Sequence, residues 1–154
     1  MIYRLSNNFI VKVEIIDIPG YEKFRNLYED YYRKANSIIL VYDITNQYSF
    51  DSCKTFFSLK IKEKGRENVK VILLGNKKDL EDKRKISYEE AKNFADLNNY
   101  KFMEISCLEN QNIFDLFEEL IISYVKINEN TNINKVNKKV AEIKNENNNS
   151  CNII

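Results

Sequence analysis

Apolar residues along this chain switch repeatedly between a two-residue and a helical period, and the switches predict its elements. Ile2 to Leu5 and Phe9 to Ile16 read as strands, with Phe9, Val11, Val13 and Ile15 alternating onto one face. Ser6-Asn7-Asn8 between them is turn chemistry, so the pair predicts a hairpin. Pro19 and Gly20 mark a loop from Asp17 to Arg25, and Leu27 to Asn36 predicts a short tyrosine-rich helix. Ser37 to Tyr42 is a compact apolar run, the pattern of a strand covered on both sides. Ser49 to Lys64 is helical in pattern and ends at Gly65. Val69 to Leu74 predicts a further buried strand, and Ser87-x-x-Glu90 is a capping box opening a helix to Leu97. Lys101 to Ile105 predicts a strand, and Ile113, Phe117, Leu120, Ile121 and Tyr124 form the apolar stripe of a last helix.

Strands alternating with helices predict an α/β fold on a parallel sheet, with one antiparallel hairpin at its start. Such sheets bind ligands beyond the carboxyl ends of their strands. Asp17, Asp43, Asn76 to Asp79 and Ser106 all fall near such ends. After Lys126 the composition turns to Asn, Lys and Glu, which cannot bury enough surface to offset ordering entropy. The expected organisation is one domain over residues 1–126 and a flexible tail over 127–154, with weak helix near Lys135 to Lys144.

Composition narrows the chemistry. A chain of 154 residues with 44% hydrophobic and 31% charged residues fits one ordinary soluble domain. A net charge of +1 supplies no global field to recruit nucleic acid. No apolar run is long enough to cross a bilayer, and the first residues carry no signal-peptide pattern. Cys53, Cys107 and Cys151 are widely spaced and form no C-x-x-C pair, which disfavours structural zinc and a disulfide scaffold and fits a reducing, intracellular compartment. The chain has no histidine, so Ser-His and Cys-His nucleophile pairs and histidine metal sites are excluded.

Three short runs carry the candidate chemistry. Asn76-Lys77-Lys78-Asp79 follows a buried strand, where an Asn-Lys-x-Asp turn reads guanine: the Asp79 carboxylate accepts from the ring N–H and the amino group, a pair that adenine cannot supply. In a chain rich in Asn and Lys, the tetrapeptide by itself also fits a solvated turn, and its place after a buried strand favours the guanine reading. Asp17-Ile18-Pro19-Gly20 places a carboxylate where it can hold magnesium through water, and a glycine that permits close backbone approach to a phosphate. Read alone, it is an ordinary strand-ending turn. In Ile105-Ser106-Cys107-Leu108, Ser106 can brace the base loop and the Cys107 backbone N–H can meet the guanine oxygen.

Together these runs resemble the Rab branch of the Ras-like small GTPases. Lys12-Val13-Glu14-Ile15-Ile16-Asp17 looks like the family's K-L-Q-I-W-D strand, and Glu22-Lys23-Phe24-Arg25 is similar to its E-R-F-R. Tyr31-Tyr32-Arg33-Lys34-Ala35 resembles Y-Y-R-G-A, and Val41-Tyr42-Asp43-Ile44-Thr45 resembles V-Y-D-I-T with Ser49-Phe50 beyond it. The resemblance covers residues 2 to 126 and implies a P-loop-NTPase-like sheet: a hairpin plus parallel strands, with helices on both faces. It implies GTP or GDP and Mg2+ as ligands, with Asp17 in the magnesium shell and Gly20 sensing the terminal phosphate. Asn76 and Asp79 would hold and read the base, the stem of Lys77 would cover its plane, and Ser106 with the Cys107 backbone would complete the pocket. Phe24, Tyr31 and Tyr32 would lie in or beside the second switch, where effectors and regulators bind, although packing would equally account for these aromatics.

The chain also departs from the family. Its glycines are Gly20, Gly65 and Gly75, and no G-x-x-x-x-G-K-[ST] phosphate loop occurs. The expectation is that roughly forty to fifty residues, holding the first strand, phosphate loop, first helix and first switch, would precede residue 1. Losing several bonds of about 1.5–3 kcal/mol each should weaken nucleotide binding by at least roughly four decades. Tyr21 stands where the family has its water-orienting glutamine, and Pro19 fixes the backbone and removes a donor, so no intact catalytic residue is expected and hydrolysis should be slow. Two readings follow: a membrane-anchored GTP-binding switch of vesicle trafficking, or a pseudo-GTPase or truncated product acting as a binding module.

Cys151-Asn152-Ile153-Ile154 fits a C-a-a-X prenylation signal. It implies a prenyl transferase as partner and residence on the cytoplasmic face of a membrane. Because one lipid chain anchors weakly, a second signal is expected, and Lys135, Lys138, Lys139 and Lys144 are placed to supply it.

Overall fold

A computed structural model describes residues 2–4, 10–20, 29–67 and 69–128. It resolves into two compact units, Met1–Asp17 with Phe117–Ile154, and Ile18–Leu116. In the first unit, β1 (Ile2–Arg4) and β2 (Ile10–Lys12) pair antiparallel, with Ile2 opposite Lys12 and Arg4 opposite Ile10. The predicted hairpin is therefore present, but its second strand stops at Lys12 rather than Ile16. Among the described residues the pairing ends at Ile2 and Lys12, and exposed Ile15 and Ile16 do not continue the alternation. Ser6, Asn7, Asn8 and Phe9 lie outside the described residues.

The second unit carries a parallel sheet in the order β3-β4-β5, formed by β3 (Ser37–Asp43), β4 (Lys70–Asn76) and β5 (Lys101–Glu104). β3 and β4 pair from Ser37 opposite Lys70 to Asp43 opposite Asn76, and β4 and β5 pair from Ile72 opposite Lys101 to Gly75 opposite Glu104. These registers bring the carboxyl ends of the strands to one side, where the chemistry-bearing residues collect.

One face of this sheet builds the core. Leu40, Tyr42, Val71 and Leu73 pack with Ile44, Phe50, Cys53, Ile61, Ile86, Ala91 and Ala95. Their helices are α1 (Glu29–Lys34), α2 (Gln47–Ser52), a π-helical turn (Cys53–Phe57), α3 (Ser58–Lys64) and α4 (Tyr88–Leu97). Asn46 caps α2 by accepting from the Ser49 N–H, and Ser87 caps α4 by accepting from the Glu90 N–H at 3.1 Å, so the predicted cap at Ser87 forms. Ala91 and Ala95, four apart on α4, let that helix approach the sheet closely. Phe50 lies between Tyr42 and Phe94, with ring centroids 4.9 and 5.9 Å away. Burial pushes the Cys53 thiol up to about 12, which leaves it a packing group and no nucleophile.

The two long strands differ from their common prediction. β4 is buried at every position from Val71 to Gly75, as the middle strand of the sheet. β3 is not covered on both sides: Val41 is 53% exposed, because β3 lies at the edge of the sheet. The last helix, α5 (Ile113–Asn128), begins in the second unit and continues into the first, two residues past the predicted boundary at 126.

Candidate functional site

The parallel register sets three strand ends side by side, and the loops leaving β4 and β5 bond to each other. β4 ends at Asn76, and Lys77 turns the chain through a left-handed conformation (φ 67°, ψ 38°) into a 3-10 turn, Lys78–Lys83. Asn76 Oδ1 accepts from the Lys77 N–H at 2.7 Å and from the Cys107 N–H at 3.3 Å. The Lys78 N–H donates to the Ile105 carbonyl at 3.0 Å. Ser106 Oγ donates to Asp79 Oδ1 at 2.5 Å and accepts from the Glu109 N–H at 3.0 Å. Ser106 also exchanges backbone bonds with Gln111, at 3.2 and 2.9 Å, and is wholly buried. A side chain with that many partners holds Asp79 in one place. Among the described residues no donor holds the second Asp79 oxygen, so the carboxylate keeps lone pairs for an incoming edge with two donors. The Cys107 N–H bond to Asn76 is the long one of the two.

A second carboxylate joins from the neighbouring strand. Asp43 Oδ1 accepts from the Thr45 N–H at 2.8 Å and the Thr45 hydroxyl at 2.7 Å, while Oδ2 meets Lys77 Nζ at 2.7 Å. Partial burial works against the Asp43 charge, but the bonds from Lys77 and Thr45 outweigh it and hold the carboxyl below its ordinary range. The Asp43 bond in turn raises the Lys77 ammonium, and the Asp79 charge adds to that field. Sequence reasoning placed Asp43 at a strand end without a role. The Asp-x-Thr spacing, a local side-chain-to-backbone turn, was the available signal that its carboxylate is fixed.

The scaffold beneath is also specific. Buried Glu104 at the end of β5 receives both terminal nitrogens of Arg84, each at 2.8 Å, and Arg84 also grips Glu81 at 2.8 and 2.6 Å. Bonds to Glu104 first, then to Glu81, raise the already high basicity of the guanidinium. Gly75 stands against this pair: a Cβ there would lie 2.8 Å from the Tyr42 hydroxyl and 3.1 Å from Glu104 Cγ. The Tyr42 hydroxyl is buried with no hydrogen-bond partner among the described residues; burial, then the Glu104 charge, drives its ionisation up.

Asp17 belongs to the first unit, and exposed Pro19 and Gly20 open the second, in no helix or strand. Asp17 offers one exposed carboxylate, and no metal-sized group of three acidic or cysteine side chains gathers among the described residues. Tyr21, Phe24 and Cys151 lie outside the described residues. Tyr31 and Tyr32 separate: Tyr31 is 41% exposed, but Tyr32, expected beside the partner-binding switch, is buried in the core at 5%. Adjacent residues of a helix point about 100° apart, and α1 turns Tyr32 to the core and Tyr31 outward.

Comparison with known proteins decides the family. The profile of the Ras family matches residues 4–126. The chain belongs to the Ras family. Its relatives within that family include Rab and Ypt proteins. It is 38% identical over 129 residues to the GTP-binding protein YPT1 of Saccharomyces cerevisiae, covering 84% of this chain and 62% of that protein. It is 42% identical over 107 residues to the GTP-binding protein ypt2 of Schizosaccharomyces pombe, covering 70% and 53%. It is 40% identical over 120 residues to the human Ras-related protein Rab-3A, covering 78% and 53%. The matched part thus spans little more than half of each of these relatives. The family's Ras-like α/β fold accounts for the parallel sheet and its helices, and no helix among the described residues is long and apolar enough to cross a membrane.

Proposed function

We propose that this chain is a Rab-like small GTP-binding protein that reads guanine through Asn76, Lys77, Asp79, Ser106 and Cys107 and acts as a switch in vesicle trafficking. The observation that carries the reading is the bond of Ser106 to Asp79 at 2.5 Å, which fixes the reader carboxylate. Asp17 and Gly20 serve magnesium and the terminal phosphate in this reading; the ion, when bound, supplies charge neutralisation for the phosphates. Tyr21 and Pro19 make hydrolysis slow. The Cys151 tail receives a prenyl group and holds the protein at the cytoplasmic face of a membrane, with effectors and regulators meeting the region around Phe24 and Tyr31. The domain occupies residues 1–126 and the tail 127–154.

With no phosphate loop among the 154 residues, the chain by itself is expected to hold GTP weakly and to keep its preference for the base. Competition binding of GTP against ATP and ITP on the purified chain tests this. The expected result is weak binding in the order GTP, ITP, ATP, because ITP lacks the amino group that Asp79 reads. Equal binding of all three would remove the guanine reading and leave a pseudo-GTPase binding module. Membrane partitioning of a Cys151→Ser variant in cells tests the anchor; unchanged partitioning would remove it.

A further inference from the structure

Lys77 poses a question that base recognition does not answer. It occupies a left-handed conformation at φ 67°, where a residue with a Cβ is costly. The other described residues at positive φ are Asn99, Asn110 and Asn112, so elsewhere this Asn-rich chain meets the same backbone demand with the residue that tolerates it best. A lysine kept at such a position points to a need for its side chain. That side chain stands between two carboxylates. Its ammonium contacts Asp43 Oδ2 at 2.7 Å, and the reader Asp79 acts on the same ammonium through space. Asp43 is itself immobile: Thr45 holds its other oxygen twice, and Ser49 Oγ accepts from its backbone N–H at 3.0 Å.

We propose that Asp43 is a positioning residue of the base site: it captures the Lys77 ammonium at the end of the neighbouring strand and so keeps it off Asp79, leaving that carboxylate open to the base. The stem of Lys77 is drawn at the same time into a fixed wall. Without Asp43 the ammonium turns to Asp79, the other carboxylate whose charge acts on it, and competes with guanine for it. An exposed ion pair contributes little to folding; this one acts through where it keeps a charge from going. The inference rests on the guanine reading above.

The test is a double-mutant cycle on the full chain, with GDP and IDP as probes. Asp43→Asn should weaken GDP binding about three- to tenfold and narrow the preference for GDP over IDP. In a Lys77→Met background, which keeps the stem and removes the charge, Asp43→Asn should have no further effect. Asp43→Glu should recover most of the loss. A purely structural Asp43 would instead give additive losses in both backgrounds, with the preference unchanged, and that result overturns the proposal. The Asp79 13Cγ resonance gives a readout without nucleotide: it should move in Asp43→Asn and stay in place in Asp43→Asn/Lys77→Met. If it stays in place in both, Lys77 does not relocate and the proposal falls. A wild-type chain that does not distinguish GDP from ADP would sink the guanine reading instead, and the resonance would still decide whether Lys77 moves.

Discussion

The stretch Asn76–Asp79 with Ser106–Gln111 and the stretch Asp17–Gly20 are both expected to touch the same nucleotide, yet they are built in opposite ways. The first is bound to itself through several polar groups: Asn76 to Lys77 and Cys107, Ser106 to Asp79, Glu109 and Gln111. Asp17, Pro19 and Gly20 are exposed and belong to no regular element, and a Cβ on Gly20 would meet open space. A base is a rigid planar object whose edge can be matched by groups fixed in advance, which lowers the ordering cost on binding. Phosphates and a hydrated ion are held by backbone that closes around them. The comparison teaches that one stretch is fixed by its own hydrogen bonds while the other is not.

Breaking the scaffold under the ordered region should cost most. Arg84→Met leaves the Glu104 carboxylate buried without its cation and should destabilise the protein by about 3–5 kcal/mol in denaturant melts. Ser106→Ala should cost about 1–3 kcal/mol, because Asp79 and the Glu109 N–H lose a buried partner together. Gly20→Ala, in the other stretch, should leave stability within about 0.5 kcal/mol, since nothing stands where its Cβ would go. Lys77→Asn should fall between no change and about 1 kcal/mol of added stability, as relief of the left-handed backbone offsets an exposed ion pair. The same variant should weaken guanine binding, so stability and function move apart at this residue.

The smallest effect is one of pH. The Asp43 carboxyl sits below its ordinary 3.8 when folded, so its contribution is present above that value and is lost as pH falls through the lowered one. An acid titration of stability should be slightly flatter below about pH 4 in Asp43→Asn than in the wild type.

Much of the ordered region was legible in the sequence, because its elements follow from local patterns. The run from Val69 to Leu74 with Gly75 reads as a buried strand, and the structure has it from Lys70 to Asn76. The Ser87 cap and the α4 start fall where the spacing puts them. Misreadings came from properties that depend on neighbours. The runs at Ser37 and Val69 look alike in sequence, but edge and centre positions in the sheet decide their burial. Ile15 and Ile16 have strand-like side chains, but among the described residues the pairing with β1 ends at Lys12. Tyr31 and Tyr32 are identical in type, and only helix rotation separates them. At the site, Asn76, Asp79 and Ser106 were legible as a motif. The ion pair of Asp43 with Lys77 was not, because it joins two strands whose register no local pattern specifies.

Amide hydrogen exchange on the ligand-free chain tests the central claim most directly. The account predicts slow exchange at Lys78, Ser106 and Gln111, whose N–H groups are bonded to Ile105, Gln111 and Ser106, and fast exchange at Asp17, Ile18 and Gly20. If Lys78, Ser106 and Gln111 exchange as quickly as Asp17 and Gly20, the base reader is not formed in advance and the contrast between the two stretches is wrong.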